Sequence, residues 1–200
     1  MDTTHILDLI AELQSVSPMP DDNSPIFDTE EGSQLLEKYA SIIRSIGNEI
    51  DASSESNSEQ SEIILPLLQA LILSFGLGTG EGVFWGTLHL IEKIKATKRD
   101  DLLYEGLFSE IAGVRDWCCI ILSRQRNYHN LPLFVEKLHD QEIEVKITAL
   151  ESIKMLAKVY SLTLLIPLLA QYVNEKNVRV KKAAISAQEA IRGFQSNGRV

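Results

Sequence analysis

Apolar and polar positions near the C-terminus follow a pattern that repeats at a fixed distance along the chain. Residues 131–156 read LPLFVEKLHDQEIEVKITALESIKML, and residues 166–191 read IPLLAQYVNEKNVRVKKAAISAQEAI. Each position of the first segment falls on its counterpart 35 residues later, so that Ala149 matches Ala184. A repeat of about this length is typical of proteins built from stacked copies of one small unit.

Each copy of the repeat predicts a pair of helices joined by a short polar break. Pro167 suits the first position of a helix, where its missing N–H would have no intrahelical partner in any case. After the break at 174–177, Val180, Ala184 and Ile191 recur at helical spacing and give one apolar stripe. A hairpin with one such stripe per helix cannot bury it alone, so we expect three or more hairpins to stack.

More diverged copies of the hairpin precede the two clear ones. Subtracting 31 from Val145 gives Val114, and subtracting 31 again gives Val83. The position four residues after the valine is small in all four copies, which suits close approach of helices. It is occupied by Thr87, Cys118, Ala149 and Ala184. This register predicts four hairpins within residues 63–194.

The start of the second helix also follows a common pattern. Three copies have a valine followed by a basic residue: Val114-Arg115, Val145-Lys146 and Val180-Lys181. This pattern resembles HEAT repeats, and Val83-Phe84 departs from it. The resemblance covers residues 63–194 and identifies a fold rather than an activity. It implies an all-α, right-handed α-solenoid of stacked antiparallel helical hairpins, whose curved surface binds proteins or, less often, nucleic acid.

The residues before the hairpins predict a cap and a linker. Apolar spacing predicts helices over about 4–16 and 33–46, the second ended by Gly47. Terminal units of solenoids are atypical because one face meets solvent, so residues 1–47 are predicted to be an N-terminal helical cap. Residues 48–62, NEIDASSESNSEQSE, are acidic and serine-rich and predict a mobile linker.

Charge is distributed unevenly along the chain, whose formal net charge is −9. Residues 1–100 hold 6 Lys and Arg against 17 Asp and Glu, a net charge of −11, whereas residues 101–200 carry +2. An acidic half disfavours nucleic-acid binding, which depends on neutralising phosphates. It suits a basic protein partner, since complementary charge steers encounter; acidity for solubility alone is the other explanation.

The sequence also indicates a compartment. The N-terminus lacks the Lys or Arg of a secretory signal, and the longest apolar run, 63–73, is interrupted and too short to span a bilayer. Cys118 and Cys119 are adjacent on one predicted helix, so their side chains diverge and an intrachain disulfide is not expected. We predict Cys118 to be in the core and Cys119 half-buried, in a cytoplasmic protein that is monomeric alone and has no membrane contact.

No set of residues predicts catalysis, a metal or a cofactor. The four histidines are scattered, and no nucleophile accompanies His89 and Glu92. The cysteines lack partners at metal-ligand spacing. The glycine-rich segment 76–82, GLGTGEG, has neither the dinucleotide-binding spacing nor a P-loop lysine. It is interpreted as a flexible turn between hairpin helices, with anion binding at the following helix as the alternative.

The second helices of HEAT-like hairpins line the concave side, where partners usually bind. Trp85 stands on the polar face of its helix, and exposed aromatic residues often anchor interfaces. The alternative is that Trp85 packs beneath the cap or the linker. The predicted partner-binding residues are the outward positions of the second helices: Trp85, His89, Glu92, Arg115, Asp116, Lys146, Glu151, Lys181 and Lys182.

The sequence therefore favours a non-enzymatic protein-binding module without cofactors. Small acidic helical-repeat proteins of this kind resemble bacterial immunity or antitoxin proteins that neutralise a toxin domain by direct binding. A general scaffold or adaptor is the near alternative. The alternative from another class is a HEAT-like nucleic-acid-binding or DNA-repair protein, for which the cations available are Arg115, Lys146, Arg179, Lys181, Lys182 and Arg192.

Overall fold

Ten α-helices and short connections make up residues 3–52, 62–96 and 98–197, the part of the chain that the computed structural model describes, and no strand occurs there. The helices are α1 (Thr3–Ser15), α2 (Glu30–Ala52), α3 (Ile64–Leu73), α4 (Val83–Lys93), α5 (Arg99–Gly106), α6 (Ala112–Arg124), α7 (Leu131–Lys137), α8 (Ile143–Ala157), α9 (Ile166–Val173) and α10 (Val178–Asn197). The prediction of an all-α fold with about ten helices is confirmed in this part of the chain.

The second helix is longer than its sequence pattern predicts. Helix α2 begins three residues early and continues past Gly47 to Ala52. The predicted end at Gly47 is wrong because this glycine is not among those with positive φ, so it does not supply a left-handed cap. The first five residues of the predicted linker are therefore helical, and residues 53–61 lie outside the described residues.

The equivalent apolar and small positions of the repeat copies are buried, as a shared register requires. The small residues Thr87, Cys118, Ala149 and Ala184 are all fully buried. Val114, Val145 and Val180 are buried as well, whereas Val83 of the least typical copy is only half-buried. Cys119 is fully buried rather than half-buried, because every residue of α6 from 113 to 119 is covered. Neither cysteine takes part in a disulfide.

Contacts divide the chain into two units, with the boundary inside α6. Unit 1 covers residues 1–118, and unit 2 covers residues 119–200. Unit 1 holds 7 Lys and Arg against 21 Asp and Glu, a net charge of −14. Unit 2 holds 12 Lys and Arg against 7 Asp and Glu, a net charge of +5. The charge asymmetry is thus larger between the units than between the two halves of the sequence.

An aromatic cluster forms the core of unit 1. Phe75 and Trp117 are stacked with ring centroids 4.9 Å apart, and Phe84 meets both rings edge-on. Tyr39 of α2 packs edge-on against Phe84 at 5.7 Å. Such offset and edge-to-face pairs each add about 0.5–1.5 kcal/mol beyond the area they bury. The cluster joins residues from α2, α4, α6 and the connection after α3, and so fixes these elements to one another.

The Tyr39 hydroxyl has two hydrogen-bond partners inside this core, Ser74 Oγ at 2.8 Å and Thr87 Oγ1 at 2.7 Å. Burial raises the pKa of Tyr39 to about 12, although both hydrogen bonds act to lower it. An unfolded tyrosine titrates near pH 10, so between about pH 10 and pH 12 the folded protein keeps a phenol proton that the unfolded chain loses. The contribution of the protonated Tyr39 to the free energy of unfolding is complete below about pH 10. It is lost as the pH rises from about 10 to about 12.

We therefore expect the free energy of unfolding to fall by about 1.4 kcal/mol per pH unit above about pH 10 through Tyr39 alone. Tyr39→Phe removes this titration, so the variant is expected to lose less stability than the wild type over the same range. Urea unfolding of both proteins at about pH 9 and about pH 11.5 measures the difference. Identical losses in the two proteins would show that Tyr39 does not titrate as its burial implies.

Two successive copies of the repeat pack together in unit 2. Helices α7 and α8 form one hairpin, α9 and α10 form the next, and α10 packs along α8. The Arg179 guanidinium forms two hydrogen bonds with the Glu144 carboxylate, which also raise the pKa of Arg179. These residues are separated by 35 positions, so equivalent places on successive second helices face each other.

Candidate protein-binding surfaces

The glycine-rich segment 76–82 is held in place by acidic residues that lie far away in sequence. The Asp22 carboxylate accepts hydrogen bonds from Thr79 N and Gly80 N, both at 2.7 Å, and from Thr79 Oγ1 at 3.1 Å. Asp21 accepts from Leu77 N at 2.8 Å. Gly78, Gly80 and Gly82 adopt positive φ, which L-residues rarely adopt. The segment is a turn between α3 and α4, as predicted, and a carboxylate of the chain itself already binds these N–H groups.

We expect Asp22→Ala to destabilise the protein by about 1–2 kcal/mol, because the charge-assisted hydrogen bonds to the loop are lost while water replaces part of them. Asp28→Ala serves as the control, since this exposed acid lies in the same connection between α1 and α2. A change at such a surface position is expected to stay within about 0.5 kcal/mol. Equal unfolding midpoints for the two variants in urea would remove the proposed role of Asp22.

The glycine-rich segment 76–82, called the pinned loop below because Asp21 and Asp22 bind its N–H groups, leads into α4. The outward face of α4 carries part of the predicted surface. Trp85 is 42% exposed, and its ring meets the buried Trp117 ring edge-on at 5.3 Å. His89, one turn later, is exposed. Glu92 is half-buried, and its backbone carbonyl accepts a hydrogen bond from the Arg99 guanidinium. The outward orientation predicted for Trp85 and His89 is confirmed, and Trp85 is also anchored from below.

The predicted outward orientation of Arg115 and Asp116 is wrong. Arg115 is 6% exposed and Asp116 is 5% exposed. Arg115 Nη1 donates to the carbonyl oxygens of Ser109 at 2.8 Å and Glu110 at 2.9 Å, so its charge serves the connection before α6. The prediction assumed that every second helix has one solvent-facing side, whereas α6 is covered all round over 113–119.

Unit 2 carries the remaining predicted residues, in different environments. Lys146 is half-buried near the start of α8. Glu151 pairs with Lys154 on the same helix, with 2.8 Å between Oε2 and Nζ, so this carboxylate is already partly neutralised. Lys181 and Lys182 are both exposed on α10. Of the four predicted residues in unit 2, therefore, only Lys181 and Lys182 are exposed.

Trp117 is the important residue that sequence reasoning missed. It is 1% exposed, takes part in three aromatic contacts and donates its indole N–H to the Gly78 carbonyl at 2.9 Å. It thereby connects the core to the pinned loop and to Trp85. The available signal was the pattern GVRDWCCIIL in α6, where apolar residues occur on every side of the helix. A helix of that kind is usually buried.

The described residues contain no group of three or more His, Cys, Asp or Glu that could hold a metal ion. None of the helices in the described part has the length and apolar character needed to cross a membrane. No family model matches the chain, and no curated protein matches its sequence.

Proposed function

We propose that this chain is a non-enzymatic cytoplasmic protein of the immunity or antitoxin type, which neutralises a basic toxin domain by binding it directly. The observation that carries the proposal is the half-exposed Trp85, beside the exposed His89, on a unit with a net charge of −14. Buried tryptophans at interfaces are among the residues whose truncation costs most binding energy. A strongly acidic surface accelerates encounter with a basic protein.

The placement of Trp85 supports an anchor rather than an incidental exposed residue. Its indole rests edge-on against Trp117, which is itself stacked on Phe75. The ring is therefore oriented by the core before any partner arrives, and less side-chain freedom is lost on binding. The half that faces solvent can be buried by a partner without rearrangement of the helix.

We further propose that the four hairpins form a HEAT-like right-handed solenoid. Support comes from the buried small residue that recurs four places after the valine position in each copy. The packing of α10 along α8 in unit 2 is the contact that neighbouring hairpins in such a stack make. In this arrangement the second helices would provide the surface on which the partner is bound.

A nucleic-acid-binding or repair protein is the second candidate, and the charge of +5 on unit 2 is what favours it. The basic ridge predicted from the sequence, which begins with Arg115 of unit 1, is thinner in the structure. Arg115 is buried against backbone carbonyls, and Arg179 is paired with Glu144. Because phosphate binding depends on cations that are free to neutralise phosphates, this loss weakens the candidate.

The test is affinity purification of the tagged chain from its native host at physiological salt, followed by size-exclusion chromatography and mass spectrometry. We expect one basic protein in stoichiometric complex with the chain. Several proteins at once would indicate a scaffold or adaptor instead. Nuclease-sensitive nucleic acid in the complex, or a bare chain without any partner, would contradict the proposal.

A further inference from the structure

An open groove runs between α2 and α4 next to the Trp85 face. It has a volume of about 420 Å³, and its walls are mainly apolar, with Ile43 on α2 and Leu90 on α4. Gly86 lies on the groove side of α4, one residue after Trp85 and one turn before Leu90. The face with Trp85 and His89 and the face that lines the groove are adjacent on α4. A partner that covers the first face can therefore also contact the groove.

Two glycines line this groove although the backbone does not require them. Gly47 and Gly86 lie inside helices and are not among the glycines with positive φ. A Cβ at Gly47 would lie 3.4 Å from Leu90 Cδ2, and one at Gly86 would lie 3.4 Å from Ile43 Cγ2, which is ordinary contact. By contrast, a Cβ at Gly113 would lie 2.1 Å from the backbone of Gly76.

Glycine inside a helix destabilises it by about 0.5–1 kcal/mol relative to alanine. At Gly113 the close backbone approach accounts for that loss. At Gly47 and Gly86 no close approach of this kind explains the glycine. The missing side chains leave open space along the groove. Alanine would fit at both positions, so the two glycines leave the groove more open than steric fit requires.

The shape of the groove fits a helix. The contacts Ile43–Gly86 and Gly47–Leu90 and the ion pair Asp51–Lys93 follow the same order on both helices, so α2 and α4 run in one direction. The groove extends from Ala40 to Asp51, roughly 16 Å at about 1.5 Å per residue. That length corresponds to about three helical turns, and amphipathic helices commonly bind in grooves between two helices.

The charged side chains along the groove indicate which charge the occupant carries. Lys93 neutralises Asp51 at one end. Arg44 is exposed on the α2 wall, and within the described residues no ion pair or hydrogen bond engages its side chain. A guanidinium beside an apolar floor is best complemented by a carboxylate, which it can bind with two hydrogen bonds.

We propose that the α2–α4 groove receives an amphipathic helix of the partner, with small apolar side chains against Gly47 and Gly86 and one carboxylate paired with Arg44. This inference rests on the proposed function, and it adds the binding element of the partner and the chemistry of its contact face. The net acidity of unit 1 attracts the partner as a whole, and the groove selects one segment of it.

Filling the groove tests the proposal. Gly86→Leu places a branched side chain in the groove, and Gly193→Leu is the matched control, because a Cβ at Gly193 of α10 meets no atom within 4 Å. The probe is the basic protein that co-purifies with the wild type. We expect Gly86→Leu to weaken its binding at least tenfold without lowering the melting temperature, and Gly193→Leu to leave both unchanged.

Charge reversal gives an independent second arm. Arg44→Glu is expected to weaken binding of the same protein at least tenfold. Lys38→Glu, on the same helix but outside the groove, is expected to change binding by less than about threefold, as a rim charge does. This arm remains informative if Gly86→Leu fails to fold.

A probe that needs no partner is anilinonaphthalene sulfonate, an apolar dye with one anionic group. Its fluorescence with the folded wild type is expected to fall in both Gly86→Leu and Arg44→Glu. Partner binding that is unchanged in both variants would overturn the groove assignment while leaving the proposed function in place. A wild-type chain that captures no protein would overturn both. Self-association that is lost in Gly86→Leu would make the occupant a second copy, which also contradicts the proposal.

Discussion

Trp117→Ala is expected to destabilise the protein by about 3–5 kcal/mol, the range for truncating a large buried aromatic side chain. The substitution removes the stacked contact with Phe75 and the edge-on contacts with Phe84 and Trp85. It also removes the donor that the Gly78 carbonyl uses in the pinned loop. Because total stabilities of domains are of order 5–15 kcal/mol, this loss is expected to lower the melting temperature by many degrees.

Two other variants separate the parts of this effect. Trp117→Phe keeps an aromatic ring in the cluster and loses the indole N–H, so we expect a smaller loss, of about 1–3 kcal/mol. Trp85→Ala removes only the half-exposed ring and should be milder still. Unfolding in urea with tryptophan fluorescence measures all three variants. A Trp117→Ala protein as stable as Trp85→Ala would mean that the aromatic cluster does not organise unit 1.

Trp85→Ala is expected to weaken partner binding at least tenfold, which corresponds to about 1.4 kcal/mol. The ring is 42% exposed and already oriented by Trp117, so its outer half is available for burial at an interface. The melting temperature is expected to fall by only a few degrees, because the inner half alone contributes to the fold. Calorimetric titration of wild type and variant with the co-purified partner measures the affinity difference.

Tyr128→Ala is the matched control for this prediction. Tyr128 is 48% exposed and packs against Tyr160 with ring centroids 5.3 Å apart, so its exposure and aromatic support resemble those of Trp85. It belongs to unit 2 and is not among the predicted partner-binding residues. Its truncation should leave the affinity nearly unchanged. If Trp85→Ala unfolds the protein instead, or if both variants bind like the wild type, Trp85 is not the anchor.

The helices and the repeat register could be predicted from the sequence because both depend on local apolar spacing. Val145 and Ala149 occupy the core for the same reason as Val180 and Ala184, so one copy predicts the other. The orientation of α6 could not be predicted in the same way. Its charged residues Arg115 and Asp116 suggest a solvent-facing side, but burial of this helix depends on neighbours that the local pattern does not reveal.

The structure of the glycine-rich loop was also inaccessible from local sequence. Glycines at 78 and 80 indicate a chain that can adopt positive φ, and they are equally compatible with a mobile turn. What holds the loop in this conformation is Asp22, whose hydrogen-bond partners are 57 and 58 positions away. Similarly, the exposed face of α4 followed from helical spacing, whereas the support of Trp85 by Trp117 required the fold.

The salt dependence of the association rate tests the central claim most directly, namely that the acidic unit 1 binds a basic protein. The rate for chain and co-purified partner should fall at least tenfold between about 20 mM and about 500 mM salt, because screening removes the attraction. A variant with Gln at the exposed positions Glu12, Glu37 and Glu105 should associate more slowly than the wild type at low salt and equally fast at high salt. A rate that is the same at both salt concentrations, in both proteins, would contradict the account.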